Sequence, residues 1–254
     1  MVTDVAQMKI KLVFKLVVQC CLPVMTLIMT NITFAQSSEP KLPITIALIG
    51  DSTVAESSGW GVPFRQRFTN DVKVLNFAKG GASSKNWYDG NRMPAVLASK
   101  PDYVLIQFGH NDQPGKGPTR ETDPATSYRE NLGRYVAEVQ SIGAIPVIVS
   151  SVTRRRFDAD DKIRTTLTPW ADAAKSAASE LNVPFIDLHR LSIQLHNSIG
   201  PEASMKFNFK EGDLTHFNRM GGAVIADLVI KELQSAVPKL TSYVKEKPSL
   251  QTVP

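Results

Sequence analysis

Four polar stretches of this sequence contain the residue types that acyl transfer requires. They are GDST (50–53), KGGASS (79–84), GHNDQ (109–113) and EGDLTHFN (211–218). A serine hydroxyl becomes a nucleophile when a base removes its proton, and a histidine base needs a carboxylate that orients its ring. Asp213 and His216 stand three residues apart, so one local turn can hold the carboxylate against the imidazole, and Ser52 is the candidate nucleophile.

The same stretches provide hydrogen-bond donors for a tetrahedral intermediate, which is stabilised by N–H groups aimed at its oxyanion. The candidates are the backbone N–H groups of Ser52 and Gly81 and the side-chain amide of Asn111. A glycine in this place also lets the chain approach a substrate closely. Every role that acyl transfer needs is therefore represented, and the four stretches together predict an ester-cleaving site.

Each stretch also has a purely structural interpretation. Ser52 can be the N-cap of a helix that follows a buried strand, because serine favours that position. Gly81 can simply provide a turn with positive φ, and Asn111 can belong to a turn. Asp213 and His216 can cap a helix that starts a few residues later. Any one of these residues alone is a weak indication of catalysis, and only their joint occurrence favours it.

Five short apolar runs alternate with longer amphipathic stretches and must position these residues. Because the runs are almost continuously apolar, they predict strands that are covered on both faces, hence a parallel sheet. Right-handed crossovers then give an α/β fold, a three-layer α/β/α sandwich around a five-stranded parallel sheet, with ligands bound beyond the carboxyl ends of the strands. The predicted strands are ITIALIG (44–50), VKVLNFA (72–78), DYVLIQFG (102–109), IPVIVSS (145–151) and VPFIDL (183–188).

Helices are predicted over 127–143, which ends at Gly143, over 170–182 and over 221–237. The 254-residue chain has no internal repeat or low-complexity linker. We therefore expect a single domain over residues 41–240 and a loose tail over 241–254.

The N-terminal 35 residues have the layout of a secretory signal peptide. Three lysines precede an uncharged apolar run that ends at Ala35, and an uncleaved membrane anchor is the alternative interpretation. Both cysteines lie inside this segment, so the mature chain would contain no thiol. We expect export to the periplasm or the medium. The net charge of +5 is scattered and predicts no nucleic-acid partner, and no membrane contact is expected after cleavage.

The four stretches resemble the sequence blocks of the SGNH (GDSL-type) hydrolases, and within them the rhamnogalacturonan acetylesterase-like carbohydrate esterases (carbohydrate esterase family 12-like). Ser52 matches the nucleophile of that family, Gly81 and Asn111 match its oxyanion donors, and Asp213 and His216 match its acid and base. The resemblance implies a flavodoxin-like fold, no cofactor, and removal of O-acetyl groups from a plant polysaccharide such as rhamnogalacturonan. A lipase or thioesterase of the same superfamily and a non-catalytic glycan-binding protein are the alternatives.

One position departs from the family pattern. Members of the family often carry arginine after the oxyanion glycine, whereas this chain has Ala82. The backbone donor is unaffected by that difference, but a charge that positions sugar or a neighbouring loop is missing. The departure therefore bears on the substrate more than on the chemistry.

Two further side chains are candidates for binding substrate. Trp87 lies just beyond the second polar stretch, where an aromatic face can stack on a sugar ring, although core packing is the alternative. Arg155 belongs to the run RRR (154–156), which follows the fourth predicted strand. Arginine binds the carboxylates of a pectic substrate well, but nearby aspartates at 158, 160 and 161 favour a solvated charged loop. Asp51 is expected to order the nucleophile turn, and His110 to be structural.

Overall fold

The computed structural model describes residues 42–246, and the predicted signal peptide lies outside this range. Five strands form one parallel sheet in the order β2-β1-β3-β4-β5. This arrangement confirms the predicted α/β fold with a five-stranded parallel sheet. The strands are β1 (Ile44–Gly50), β2 (Val72–Asn76), β3 (Tyr103–Gln107), β4 (Ile145–Val149) and β5 (Phe185–Ile186).

Helices cover both faces of the sheet, because successive side chains of each strand point to opposite faces and both sets are apolar. The helices are α1 (Gly61–Arg65), α2 (Ser84–Asp89), α3 (Met93–Ala98), α4 (Ser127–Ser141), α5 (Thr168–Glu180), α6 (Leu188–Met205) and α7 (Arg219–Ala236). Ile46 and Leu48 of β1 pack with α1, α6 and α7, whereas Ala47 and Ile49 pack with α2, α3, α4 and α5. None of the helices within residues 42–246 is long and apolar enough to cross a membrane.

The strand order reverses between β1 and β3, which are neighbours in the sheet although β2 lies between them in sequence. In open α/β sheets a crevice forms outside the carboxyl ends of the strands at such a switch point. The stretch GDST leaves the sheet at the end of β1, and GHNDQ follows the end of β3. The topology therefore brings these two stretches to the same crevice.

Several sequence expectations need correction. Turns follow β1 and the first helix begins only at Gly61, so Ser52 is not a helix N-cap. The predicted fifth strand is longer than the observed one, and α6 was not predicted; Gly200 interrupts that helix with a φ of +76°. The predicted loose tail is wrong for residues 241–246. A 3₁₀ helix continues to Tyr243, and Lys245 donates its backbone N–H to Arg67 O at 2.8 Å.

Candidate active site

Three side chains from opposite ends of the described chain form one hydrogen-bonded relay. Ser52 Oγ lies 2.8 Å from His216 Nε2, and His216 Nδ1 lies 2.9 Å from Asp213 Oδ2. A carboxylate only accepts hydrogen bonds, so Nδ1 of the neutral ring carries the proton and Nε2 accepts from the serine hydroxyl. The structure thus brings the predicted nucleophile, base and orienting acid into the contacts that nucleophilic catalysis requires.

The Asp213 carboxylate is also held by its own loop. The backbone N–H groups of Thr215 and His216 each donate to Asp213 Oδ1 at 3.0 Å. Burial raises the pKa of Asp213, but these bonds and the contact with the His216 ring outweigh that effect and hold the pKa below its usual value. Asp213 therefore stays ionised and can stabilise a protonated imidazole. The following helix does not use these residues, because Asn218 is its N-cap.

A buried network fixes the turn that carries Ser52. Asp51 accepts hydrogen bonds from the backbone N–H of Thr53 at 2.8 Å and from its hydroxyl at 2.7 Å. Gln107 of β3 donates to Thr53 Oγ1 at 2.6 Å, and Trp60 Nε1 donates to Gln107 Oε1 at 2.9 Å. Because all four supporting side chains are buried, the serine turn is attached rigidly to the sheet. Asp51 orders the turn, as the sequence analysis expected.

His110 lies directly against this network. Its Nδ1 is 3.4 Å from Asp51 Oδ2, and both side chains are buried. Burial lowers the pKa of His110, so the ring is neutral near pH 7. Burial raises the pKa of Asp51, but contacts with His110 and Thr53 outweigh it and keep that pKa below its usual value. The pair lies beneath Ser52 and does not replace His216 as the group that contacts the serine hydroxyl.

The structure brings two of the three predicted oxyanion donors, those of Ser52 and Asn111, to one depression, whereas Gly81 lines another. Asn111 lines the depression that contains Ser52, and one N–H of its side chain donates to Ala82 O at 2.9 Å. The other N–H of that amide has no acceptor among residues 42–246. In the part of the chain that the structure describes, the backbone N–H groups of Ser52 and Gly81 have no acceptor. Gly81 lines an adjacent depression and is joined to the site through the Asn111–Ala82 hydrogen bond.

The loop after β2 explains why glycine and alanine occupy positions 81 and 82. Gly81 has a φ of +74°, in the left-handed region that favours glycine. Ala82 is only 3% exposed and packs against the apolar side of the sheet that faces α2 to α5. A positive charge from another segment lies close to this loop, because Arg120 Nη1 is 4.0 Å from where a Cβ on Gly81 would be. Position 82 therefore contributes to the core.

A second buried network, which the sequence analysis missed, joins the loops after β2 and β3. Asp112 accepts from the Ser84 backbone N–H at 3.0 Å and from the Ser84 hydroxyl at 2.5 Å, and Thr122 Oγ1 donates to it at 3.1 Å. Burial raises the pKa of Asp112 to about 7. The sequence indicated only a turn or capping residue here, because partners 28 residues away in the sequence leave no local pattern.

The two predicted substrate contacts, Trp87 and Arg155, are wrong for the described structure. Both side chains are 0% exposed. The Trp87 ring packs against Phe108 and Tyr135 in the core, and its Nε1 donates to Phe77 O at 3.1 Å. A polysaccharide on the surface cannot contact a side chain that is completely covered by the protein.

Arg155 instead holds the loop that carries the base. Its guanidinium donates to Asp213 O at 2.9 Å, to His216 O at 2.6 Å and to Asn208 Oδ1 at 2.7 Å. The group also lies 4.6 Å from the centroid of the Phe217 ring. Burial lowers the pKa of Arg155 to about 10, so the side chain is still charged near neutral pH. The sequence showed an arginine near the site but not the direction in which it points.

The residues around Ser52 line an open depression of about 360 Å³. It continues into a second depression of about 590 Å³, because both are lined by Arg154, Arg156 and Thr166. The first depression is lined by Ser52, His110, Asn111, Gln113, Pro114, Lys116, Arg154, Arg156, Thr166, Thr215 and His216. The serine is therefore accessible from a polar, positively charged surface.

Sequence comparison identifies the family to which this site belongs. The sequence model of the GDSL-like lipase/acylhydrolase family matches residues 48–224, a range that includes Ser52, Gly81, Asn111, Asp213 and His216. The chain belongs to the GDSL-like lipase/acylhydrolase family. It is accordingly a carboxylic ester hydrolase. This membership confirms the predicted resemblance to the GDSL-type hydrolases.

Two curated relatives and one solved structure are similar to this GDSL-like chain. It is 38% identical to the rhamnogalacturonan acetylesterase RhgT of Bacillus subtilis, and the match covers 76% of this chain and 91% of RhgT. It is 27% identical to a rhamnogalacturonan acetylesterase of Emericella nidulans, covering 74% and 83% of the two chains. The crystal structure of the Bacillus subtilis protein YXIM superposes with a TM-score of 0.68 at 27% identity, covering 78% of this chain and 58% of that one.

Proposed function

We propose that this protein is an exported esterase that removes O-acetyl groups from a plant cell-wall polysaccharide, most specifically rhamnogalacturonan. The observation that carries the proposal is the relay from Asp213 through His216 to Ser52, with a 2.8 Å contact at the serine hydroxyl. The substrate rests on the named activity of the relatives, above all the 38% identity to RhgT.

The geometry suggests a two-step acyl transfer. His216 Nε2 takes the proton of Ser52 as Oγ attacks the acetyl carbonyl carbon, and Asp213 stabilises the imidazolium that forms. The backbone N–H groups of Ser52 and Gly81 and the free N–H of Asn111 are the proposed donors to the oxyanion. Collapse of the intermediate breaks the ester bond, and His216 returns its proton to the departing sugar oxygen.

The second step regenerates the enzyme. His216, again neutral, takes a proton from a water molecule whose oxygen attacks the acetyl carbonyl of the Ser52 ester. Collapse of the second tetrahedral intermediate releases acetate, and the proton returns to Ser52 Oγ. No step in this sequence needs an oxidant, a reductant or a second substrate other than water.

Export belongs to the same proposal. It rests on the lysines that precede an uncharged apolar run ending at Ala35, which is typical of a signal peptide. A polymer of the plant cell wall does not enter cells intact, so an enzyme that acts on it would work in the periplasm or the medium. N-terminal sequencing of the protein recovered from those fractions tests export. Cleavage after Ala35, at the end of the apolar run, would give a new N-terminus at Gln36.

The substrate is tested by measuring acetate release from acetylated rhamnogalacturonan, acetylated xylan and nitrophenyl acetate, with long-chain nitrophenyl esters in parallel. We expect the highest kcat/KM among the polysaccharides on rhamnogalacturonan and little activity on long-chain esters. Faster cleavage of long-chain esters would instead favour a lipase. Glycan binding without acetate release would favour a non-catalytic module.

The matched variants are Ser52→Ala and Ser57→Ala, which remove hydroxyl groups from the same loop. Ser57 is exposed and lies outside the relay. We expect Ser52→Ala to abolish acetate release and Ser57→Ala to retain it. Wild-type turnover by Ser52→Ala would rule out the acyl-enzyme mechanism.

A further inference from the structure

The depression beside the catalytic serine is strongly basic. We define the basic depression as the 590 Å³ concavity next to the Ser52 depression, within the size range of small-molecule binding sites. Arg154, Arg156 and Arg164 line it, and Arg155 lies completely covered behind its wall. Within residues 42–246, neither this depression nor the one containing Ser52 is lined by an aspartate or a glutamate.

Two of these arginines face each other across a short hairpin. Phe157 and Ile163 form an antiparallel bridge, and the backbone N–H of Arg164 donates to Arg156 O at 2.8 Å. Like charges directly opposite each other on paired strands destabilise the pairing. Both side chains are exposed, and in the described part of the chain neither forms an ion pair with a carboxylate. The protein thus keeps two repelling cations beside its site without neutralising them.

Within residues 42–246, the neighbouring aspartates form no ion pair with these arginines. Asp158 Oδ1 accepts the backbone N–H groups of Asp160 and Lys162 at 3.0 and 2.9 Å, so it closes its own turn. None of the three aspartates of this loop lines the basic depression. Arg156 and these aspartates are exposed, as the favoured interpretation of a solvated charged loop predicts, whereas Arg155 is buried.

Arg154 is held in place between the two depressions. Its Nη1 donates to Gln113 Oε1 at 2.7 Å and its Nη2 to His110 O at 3.3 Å. Gln113 is itself anchored by Thr166 O at 2.6 Å. The two hydrogen-bond partners of Arg154 are neutral, and the buried Asp51 attracts its charge without forming an ion pair with it. A fixed guanidinium loses little freedom when it binds an anion.

The geometry points to a carboxylate-binding subsite formed by Arg154, Arg156 and Arg164, which receives a uronate residue of the polysaccharide next to the sugar whose acetyl group lies at Ser52. The inference rests on the proposed function, because it deepens the choice of substrate at the same site. Arginine matches a carboxylate with two parallel N–H bonds, and an acidic polysaccharide such as rhamnogalacturonan presents carboxylates that a neutral xylan backbone lacks.

The test measures inhibition of nitrophenyl acetate hydrolysis by deacetylated rhamnogalacturonan oligosaccharides. One batch keeps its carboxylates, and in a second batch of equal length they are reduced to primary alcohols. Each protein variant is characterised by the ratio of the two inhibition constants, so a change in its own hydrolysis rate cancels. For the unsubstituted protein we expect the carboxylate form to bind about tenfold more tightly than the reduced form.

Three variants locate the effect. The ratio should fall to near one in the double variant Arg156→Ala with Arg164→Ala, whereas Arg156→Lys with Arg164→Lys should give an intermediate ratio because the charge is retained. Arg129→Ala is the matched control, since Arg129 pairs with Glu180 and lines neither depression. It should keep the ratio of the unsubstituted protein.

The inference is overturned if the unsubstituted protein binds both oligosaccharides equally, if the double alanine variant keeps the full ratio, or if the lysine and alanine variants lose it equally. Its failure is distinguishable from failure of the proposed function. Inhibition by the carboxylate form reports the subsite alone, whereas acetate release from acetylated rhamnogalacturonan reports the function. If the carboxylate form inhibits selectively but no acetate is released from acetylated rhamnogalacturonan, the subsite is supported and the proposed substrate is wrong.

Discussion

The catalytic relay and the basic depression adjoin each other but are built in opposite ways. Around the relay the supporting groups have partners inside the protein: Asp51 and Gln107 beneath Ser52, and Arg155 behind the loop of Asp213 and His216. In the basic depression Arg156 and Arg164 are exposed and, within the described residues, have no carboxylate partner.

This difference corresponds to two tasks, because the relay holds reacting groups in position whereas the basic depression binds a ligand. Groups that must hold a reacting atom in place are most effective when their hydrogen bonds are formed during folding, because no reorganisation then accompanies the reaction. Groups that bind a charged ligand must keep their donors free until the ligand arrives. Substitutions in the relay and its supports should therefore lower kcat, and substitutions in the basic depression should change the selectivity for acidic ligands.

The largest effect should come from the base. His216→Ala removes the only ring that contacts the Ser52 hydroxyl within residues 42–246. Loss of one member of such a relay lowers kcat by about 10⁴-fold or more, because the hydroxyl is no longer deprotonated during attack. Steady-state hydrolysis of nitrophenyl acetate measures the loss, and circular dichroism verifies the fold. A variant with near-normal kcat would place the base elsewhere.

The next largest effect should come from an oxyanion donor. Asn111→Ala removes the side-chain N–H that lies in the Ser52 depression. Loss of one such donor raises the barrier by about 3 kcal/mol, which is about a hundredfold in kcat, with a smaller change in KM. If kcat is unchanged while the variant is folded, Asn111 does not contact the oxyanion.

A smaller loss is expected when the support of the catalytic loop is removed. Arg155→Met leaves Asp213 O, His216 O and Asn208 Oδ1 without their buried donor, which costs about 3 kcal/mol of folding stability. Because the loop that carries His216 is then less ordered, we expect kcat to fall about tenfold or more with little change in KM.

Arg155→Lys should recover part of the stability, since one ammonium can replace one of the three bonds, but it cannot reproduce the fork. The split between kcat and KM distinguishes positioning from binding. A rise in KM for acidic oligosaccharides without a fall in kcat would return Arg155 to the role of a substrate contact.

The smallest effect concerns the pH dependence of stability. His196 is buried near Arg155, and burial, reinforced by that positive charge, lowers its pKa to about 4. The unfolded chain binds this proton below about pH 6.5. The contribution of His196 to stability is therefore complete above that pH and falls as the pH drops toward 4, by at most about 1.4 kcal/mol per pH unit for one proton.

Urea unfolding at pH 7 and pH 5 tests this linkage. On going from pH 7 to pH 5, the unfolding free energy of His196→Gln should fall less, or rise more, than that of the unsubstituted protein. Asp112, whose pKa is raised to about 7, acts in the opposite direction in both proteins. Arg156→Ala, in the basic depression, should leave the difference between the two pH values unchanged because its side chain is exposed. Equal differences in all three proteins would show that His196 does not titrate upon unfolding.

The strands, three of the helices and the Asp213–His216 pair were accessible from the sequence because their signals are local. The observed β1 coincides with the predicted run ITIALIG, since a strand covered on both faces must be apolar throughout. Asp213 and His216 were recognisable because one turn joins them. By contrast, α6 was missed, and the tail was expected to be loose although Lys245 donates its backbone N–H to Arg67 O. Contacts between segments distant in the sequence stabilise both regions.

The arginine run shows the same limit at the level of single residues. The sequence predicted that Arg154, Arg155 and Arg156 lie beside the site and that their guanidinium groups can bind carboxylates. The four polar stretches indicated which residues react. Only the tertiary structure decided that the middle arginine turns inward to the loop of His216 while its neighbours face the depression. The physical reason is that residue type sets the chemistry of a group, whereas the packing of distant segments around it sets its direction and its free partners.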